Sequence, residues 1–311
     1  MALAPDRYLY SPIIDRPVLK WPNNARVAFW VAPNVEFYEY TPPVTPGRPS
    51  TLRTPAPDLR FYADKDYGNR VAFWRMIDVF DKHNLKVTSS QNQAILEHFP
   101  EERDAMVKRG WTFMSHNIYN TRPHGHLNFE EERAYYKDLV DSMKKSTGQQ
   151  LRGILALSNT PHSPDLLSEA GFTYYTDIFH DDQPFPVKVN TGKKFVSVPY
   201  NIDYNDALTL GLGRGWEADD WAQMCRDQFD TLYAEGAESG RVMCIPLHPY
   251  LIGQPHRAKY LDEVLGYILG HKGVWNTTAD EIAQYYIDNY YDKVLAYVEK
   301  QAGAKQPAIR R

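Results

Sequence analysis

The sequence predicts an α/β fold, a single β/α barrel, on three observations. Short β-type runs alternate with helical patterns from one end of the chain to the other. The length, 311 residues, is ordinary for one closed barrel and forces no second domain. The polar residues able to do chemistry stand just after the runs, where a barrel would bring them to one rim.

The runs come in order. They are residues 26–32 (RVAFWVA), 85–89, 111–115 (WTFMS), 151–157, 172–176, 194–198, Arg241–Leu247 (RVMCIPL) and a short 273–276. Between them the helices have readable ends. Phe73, Ile77 and Phe80 share one helical face. Asn128 and Glu131 form a capping-box pattern ahead of a helix running towards Ser146. Ser163-Pro164 opens a helix that Gly171 closes, and Asp219 or Asp220 begins another. Thr278 and Glu281 cap a long C-terminal helix. Strand–helix alternation of this kind implies a parallel sheet covered by helices. Closure into a barrel is favoured because Asn34, Glu36, His116, Asp177 and His248 follow different runs; an open sheet would unite only those near a switch point.

One domain is expected over residues 1–300, with its core at 20–290 and a frayed tail at 301–311 (QAGAKQPAIRR). Residues 41–59, rich in Pro and Thr, read as a long rim loop beside the first strand. A second rim loop is expected at 121–127.

Composition excludes several classes. Hydrophobic residues make up 43% and charged residues 24%, the balance of a folded chain. A net charge of −4 argues against a nucleic-acid groove. No apolar run approaches the ~20 residues that cross a bilayer, and the first residues lack a signal-peptide pattern, so a cytoplasmic protein without a membrane partner is expected. Cys225 and Cys244 have no metal-type spacing and read as buried thiols.

The chemistry concentrates after the strands. His248, between Leu247 and Pro249, would present an imidazole to the rim as general acid or base, although a lone strand-end histidine is as often structural. His116 suits oxyanion stabilisation or metal ligation, with Glu36 as the best partner ligand. A third ligand is unclear: Asn120 is weak, and His124 and His126 lie in the second rim loop. Asn34 and Glu36 are two apart and so point the same way from an extended strand. Glu36 could be base or ligand, against the usual fate of glutamate as a surface carboxylate. Asp181 and Asp182 could hold substrate amide hydrogens or form a solvated turn. Arg152 could orient a carboxylate, with a structural salt bridge as the plainer reading.

On these residues the sequence resembles the polysaccharide deacetylase (NodB-homology) superfamily, and within it the branch of allantoinases and cyclic-imide hydrolases. The likeness runs over nearly the whole chain. It is carried by Lys20-Trp-Pro with Asn24-Ala-Arg-Val27, Asp66-Tyr-Gly68 with Trp74-Arg75, Ser115-His116, Ser163-Pro-Asp-Leu-Leu-Ser-Glu-Ala-Gly171, Asp181-Asp-Gln-Pro-Phe185 and Leu247-His-Pro-Tyr-Leu-Ile-Gly-Gln-Pro-His-Arg257. The resemblance implies a deformed β/α barrel, a late catalytic histidine at His248 and a supporting arginine at Arg152. Where metal-dependent members have a pair of aspartates after the first strand, this chain has Asn34 and Glu36. Where they have a second histidine after the third, it has Asn120. Asn34 cannot take a proton, so the departures point to the allantoinase-like branch.

The expected activity is therefore hydrolysis of a non-peptide C–N bond in a small cyclic amide, ureide or imide, or in a related linear amide. Glu36, His116 and His248 are the catalytic set; Asn34, Asn120, Arg152, Asp181 and Asp182 are the substrate contacts. No cofactor is strictly required, or a divalent ion such as zinc is weakly held by Glu36 and His116. Relatives of this branch imply a homo-oligomer. Two alternatives stand beside this: a metal-dependent deacetylase of sugars or small N-acyl compounds using a rim-loop histidine, and a catalytically inactive barrel that binds a small molecule.

Overall fold

A computed structural model describes residues 7–44, 56–211 and 215–305. Nine strands lie among them: β1 (Val27–Val35), β2 (Thr88–Gln91), β3 (Thr112–Ser115), β4 (Gly153–Ile154), β5 (Tyr174–Tyr175), β6 (Phe185–Pro186), β7 (Val196–Ser197), β8 (Arg241–Leu247) and β9 (Val274–Asn276). The helices are α1 (Leu59–Tyr67), α2 (Phe73–Lys82), α3 (Gln93–His98), α4 (Pro100–Lys108), α5 (Phe129–Thr147), α6 (Ser163–Ala170), α7 (Ala218–Glu235), α8 (Pro249–Ile252), α9 (Ala258–Leu269), α10 (Ala279–Asn289) and α11 (Tyr291–Lys305). The Asn128–Glu131 and Thr278–Glu281 capping boxes form, and Gly171 ends α6 at φ 102°. Of the expected rim loop at 41–59, residues 45–55 lie outside the described residues. So does 306–311 of the expected tail, whose first five residues continue α11.

The strands form one curled sheet in the order β6-β7-β5-β4-β3-β2-β1-β8, with β9 also on β1. All ladders are parallel except β6–β7. Strand β6 falls outside the expected runs. The open ends of the path are tied without a ladder. Val242 N donates to the Asp182 carbonyl (2.8 Å), and Cys244 N donates to Asn201 Oδ1 (3.1 Å). The result is a deformed β/α barrel in one domain.

The period-2 rule sorts each strand between two cores. Val27, Phe29, Val31 and Val35 of β1 pack outward with Phe73, Phe80, Tyr136 and Trp221 of the helices. Ala28, Trp30 and Ala32 face inward with Met114, Tyr174, Val196, Val198, Tyr200, Val242 and Cys244. Trp21 and residues Ile282 and Tyr286 of α10 join this inner set, so they plug the end where the strands begin. At the other end the inward series runs on past apolar chemistry: Ala32 is followed by Asn34 and Glu36, Met114 by His116, and Cys244 by Pro246 and His248. Both cysteines are free and buried. No helix of the described residues is long and apolar enough to cross a membrane.

Candidate active site

Three expected residues meet at the rim. Glu36 Oε1 lies 3.2 Å from His116 Nε2 and 3.7 Å from His248 Nε2. All three are buried. His248 follows β8 directly and serves as N-cap of α8, where Pro249 at the first helical position fixes the chain direction. His116 follows β3, and its Nδ1 donates to the Leu155 carbonyl (2.9 Å). A carbonyl only accepts, so this bond fixes the ring and leaves Nε2 towards Glu36. Asn92 donates to the His116 carbonyl and Phe37 N donates to Asn92 Oδ1 (2.7 Å), which locks the two strand ends together.

Asp206 was not foreseen. It is fully buried, and both its oxygens serve His248: Oδ2 accepts from the backbone N (2.8 Å) and Oδ1 from Nδ1 (2.7 Å). Burial opposes charge on the His248 ring, but the Asp206 and Glu36 carboxylates outweigh it and push its pKa up to about 10. Burial likewise opposes charge on Glu36, yet His248, then the bond to His116, hold its carboxyl well below the usual carboxylate range. The resting site is thus an imidazolium between two carboxylates, with His116 alongside. A protonated His248 is an acid first.

Tyrosines cover this cluster. Tyr38 donates to Glu36 Oε2 (2.8 Å), and Tyr250 packs edge-on to both Tyr38 and His248. Asn120 bonds Tyr38 through its side chain and the Phe37 carbonyl through its backbone (3.2 Å). Lys65 of α1 sits 3.7 Å over the Tyr250 ring. Gly68 is required here, since a Cβ would stand 3.0 Å from Tyr250 Cβ. Neither tyrosine role had a sequence signal beyond nearness to Glu36 and His248.

Asn34 is built as an amide. Its Nδ2 donates to the Leu247 carbonyl (3.2 Å), to Tyr200 Oη (3.0 Å) and, weakly, to the Ala32 carbonyl (3.4 Å). A carboxylate would set negative oxygen against two carbonyls. Its own Oδ1 is buried without a partner among the described residues.

The remaining expected contacts lie away from this cluster. Asp181 pairs with Arg16 (2.6 Å), and the Asp182 carbonyl takes Val242 N at the start of β8. Six residue steps of strand, roughly 20 Å at about 3.3 Å each, lead from Val242 to His248. Arg152 precedes β4 and reaches Gln284 of α10 (3.2 Å), also at the plugged end. All three make their contacts towards the end where the strands begin. His124 is held by Tyr136 Oη (3.0 Å) and Ser158 Oγ (3.2 Å), with burial lowering its pKa to about 4, and His126 is exposed. Asp177 accepts from Ala156 N and Leu157 N.

The family resemblance implies a divalent metal in many members. The donors present do not fit one. Among the described residues no group of three His, Cys, Asp or Glu side chains is arranged to hold an ion, and the first-strand position turns an NH2 group inward onto carbonyls.

No family model matches the chain. A protein of Schizosaccharomyces pombe described as a polysaccharide deacetylase is 27% identical over 88% of this chain and 93% of its own length. Among solved structures, PuuE allantoinase superposes with a TM-score of 0.83 at 26% identity, covering 93% of this chain and 99% of that one. A probable polysaccharide deacetylase from Pseudomonas aeruginosa PAO1 gives 0.80 at 25% identity, over 89% and 96%. Barrel, rim cluster and relatives agree: the chain is similar over most of its length to proteins of the polysaccharide deacetylase superfamily.

Proposed function

We propose that the protein hydrolyses a C–N bond in a small cyclic amide, ureide or imide, without a metal in the chemical step. The observation that carries this is the Asp206–His248–Glu36 row, an acid and a carboxylate held 3.7 Å apart where a metal site would be expected. The likeness to an allantoinase, a ring-opening enzyme, supports it.

Water between Glu36 and the substrate carbonyl loses a proton to Glu36 as its oxygen bonds to carbon. His116 steadies the oxygen that gains charge, a role that needs a proton on Nε2 as well as the one that Nδ1 gives to Leu155. His248 gives its Nε2 proton to the leaving nitrogen, and the C–N bond breaks. The two transfers are coupled. A carboxylate beside an imidazolium is a poor base, but as His248 gives up its proton, the charge that depresses Glu36 disappears. The proton on Glu36 then passes to His248, which resets the site. Asn34 and Asn120 stand beside these groups as substrate contacts. The reading carries a homo-oligomeric, cytoplasmic enzyme as further expectations.

A second reading, metal-dependent N-deacetylation, is favoured by the description of the fission-yeast relative. One experiment separates them. Purified protein is given allantoin, hydantoin, succinimide and N-acetylated sugars, with and without a chelator. Ring opening that survives chelation is expected. Acetate release that chelation abolishes would overturn the proposal, and no turnover of any substrate would favour an inactive binding barrel.

A further inference from the structure

The rim carries a feature that the hydrolytic row does not use. Leu157 adopts φ 57°, a left-handed conformation that suits glycine and strains a leucine. The residue is 59% exposed. Neither local sequence nor burial rewards this arrangement; the backbone is held in it from outside. Asp177, at the end of the adjacent β5, accepts from Ala156 N (3.0 Å) and Leu157 N (2.6 Å). Asn117, itself at φ 67° directly after His116, donates from Nδ2 to the Ala156 carbonyl (2.9 Å). Strain kept in place by several fixed partners is characteristic of functional surfaces.

A second exposed apolar side chain follows the next strand. Phe179, four residues beyond β5, is 42% exposed, and its ring centroid lies 6.0 Å from that of Tyr200. Both side chains leave neighbouring strands, since Ile154 pairs with Tyr175, and both leave at the rim end. Each is one link from the site. The Leu155 carbonyl, two residues before Leu157, orients His116, and the Tyr200 hydroxyl, beneath Phe179, accepts from Asn34.

We infer that Leu157 and Phe179 form an apolar shelf at the mouth of the active site that receives an alkyl or aryl substituent on the substrate ring. The inference rests on the hydrolytic reading for the identity of the ring. It deepens that reading by assigning the substrate class: cyclic amides, ureides or imides carrying an apolar substituent bind better than the bare ring. A glycine at 157 would satisfy the backbone, so the leucine is there for its side chain.

The test compares hydantoin with 5-benzylhydantoin. Affinities are measured by calorimetry on full-length protein in the Glu36→Gln background, so that binding is read without ring opening. The substituted ring is expected to bind roughly tenfold or more tighter, the scale of one small apolar group in a pocket. Adding Leu157→Gly, which also relieves the left-handed strain, should reduce that ratio about tenfold, and Phe179→Ala should reduce it again. An unchanged ratio in both folded variants would overturn the shelf, as would absence of any preference before mutation. A change of oligomeric state in Leu157→Gly with the ratio intact would overturn it too, by showing a subunit contact instead. Turnover by the unmutated protein is scored separately. Preference without ring opening keeps the shelf and removes the hydrolytic reading; ring opening without preference does the reverse.

Discussion

Two buried ion pairs lie at opposite ends of the barrel and look alike in isolation. Asp206 meets His248 at 2.7 Å and Asp181 meets Arg16 at 2.6 Å, and no partner in either pair has more than 7% of its side chain exposed. Their surroundings differ in two respects. The rim pair faces a third charge, Glu36, and its cation is an imidazole that can give up a proton. The other pair ties the N-terminal segment to the turn before β6, and a guanidinium does not deprotonate in a protein. Short distance and burial therefore do not mark chemistry. Place along the strand and the ability of the cation to titrate do.

Asp206→Asn breaks the comparison most sharply. An amide offers one acceptor where His248 aims two N–H donors, so ring orientation and charge are lost together. In a related hydrolytic arrangement the same change costs roughly 10⁴-fold in rate, and a loss of 10³–10⁴-fold is expected in kcat here. The pH profile carries the distinguishing signal. His248 has a folded pKa raised from 6.5 to about 10. Its charged form stabilises the fold fully below about 6.5, and that contribution is lost as pH rises through about 10. Activity of the unmutated protein should fall along the same alkaline limb. In Asp206→Asn both limbs should move down by about one to three units; a limb that stays near 10 would mean that Asp206 does not set the acid.

Asp181→Asn is the counterpart at the plugged end. Removing one partner of a buried pair leaves Arg16 uncompensated, at about 3–5 kcal/mol of stability. The expected result is a lower melting temperature with kcat unchanged for the protein that remains folded. A fall in kcat at full stability would return Asp181 to the site.

The same contrast explains what the sequence made legible. Glu36, His116 and His248 each follow a near-continuous apolar run, so counting in steps of two from the strand carries them to the rim. Asp206 follows no run. It lies in Asn-Asp-Ala-Leu, just ahead of the π-helical turn Ala207–Gly211, and only the folded path brings it under His248. Asp181 and Asp182 misled because a loop between two short strands passes from one end of the barrel to the other, and nothing local says where along it a carboxylate sits. Strand β6 was hidden for a similar reason: two residues carry no period. The π-helical turn Gly68–Ala72 was also unforeseen, yet it is what lets the backbone approach Tyr250.

Arg152 gives the smallest effect and the most direct check on the rule. The residue stands before its strand, not after it, which in a barrel is the end that serves stability. Family likeness drew it towards the site, but the strand's direction placed it elsewhere from the beginning. Its observed side-chain hydrogen bond, to Gln284 of α10, is partly exposed and neutral on one side. Such a contact is worth roughly 0.5–1.5 kcal/mol. Arg152→Ala should therefore cost about 1 kcal/mol or less in a denaturant titration and leave both kcat and KM where they were. A rise in KM at unchanged stability would require the guanidinium to reach the rim. That would contradict the register of β4 with β3, which sets Gly153 beside Met114 and so Arg152 still further from His116.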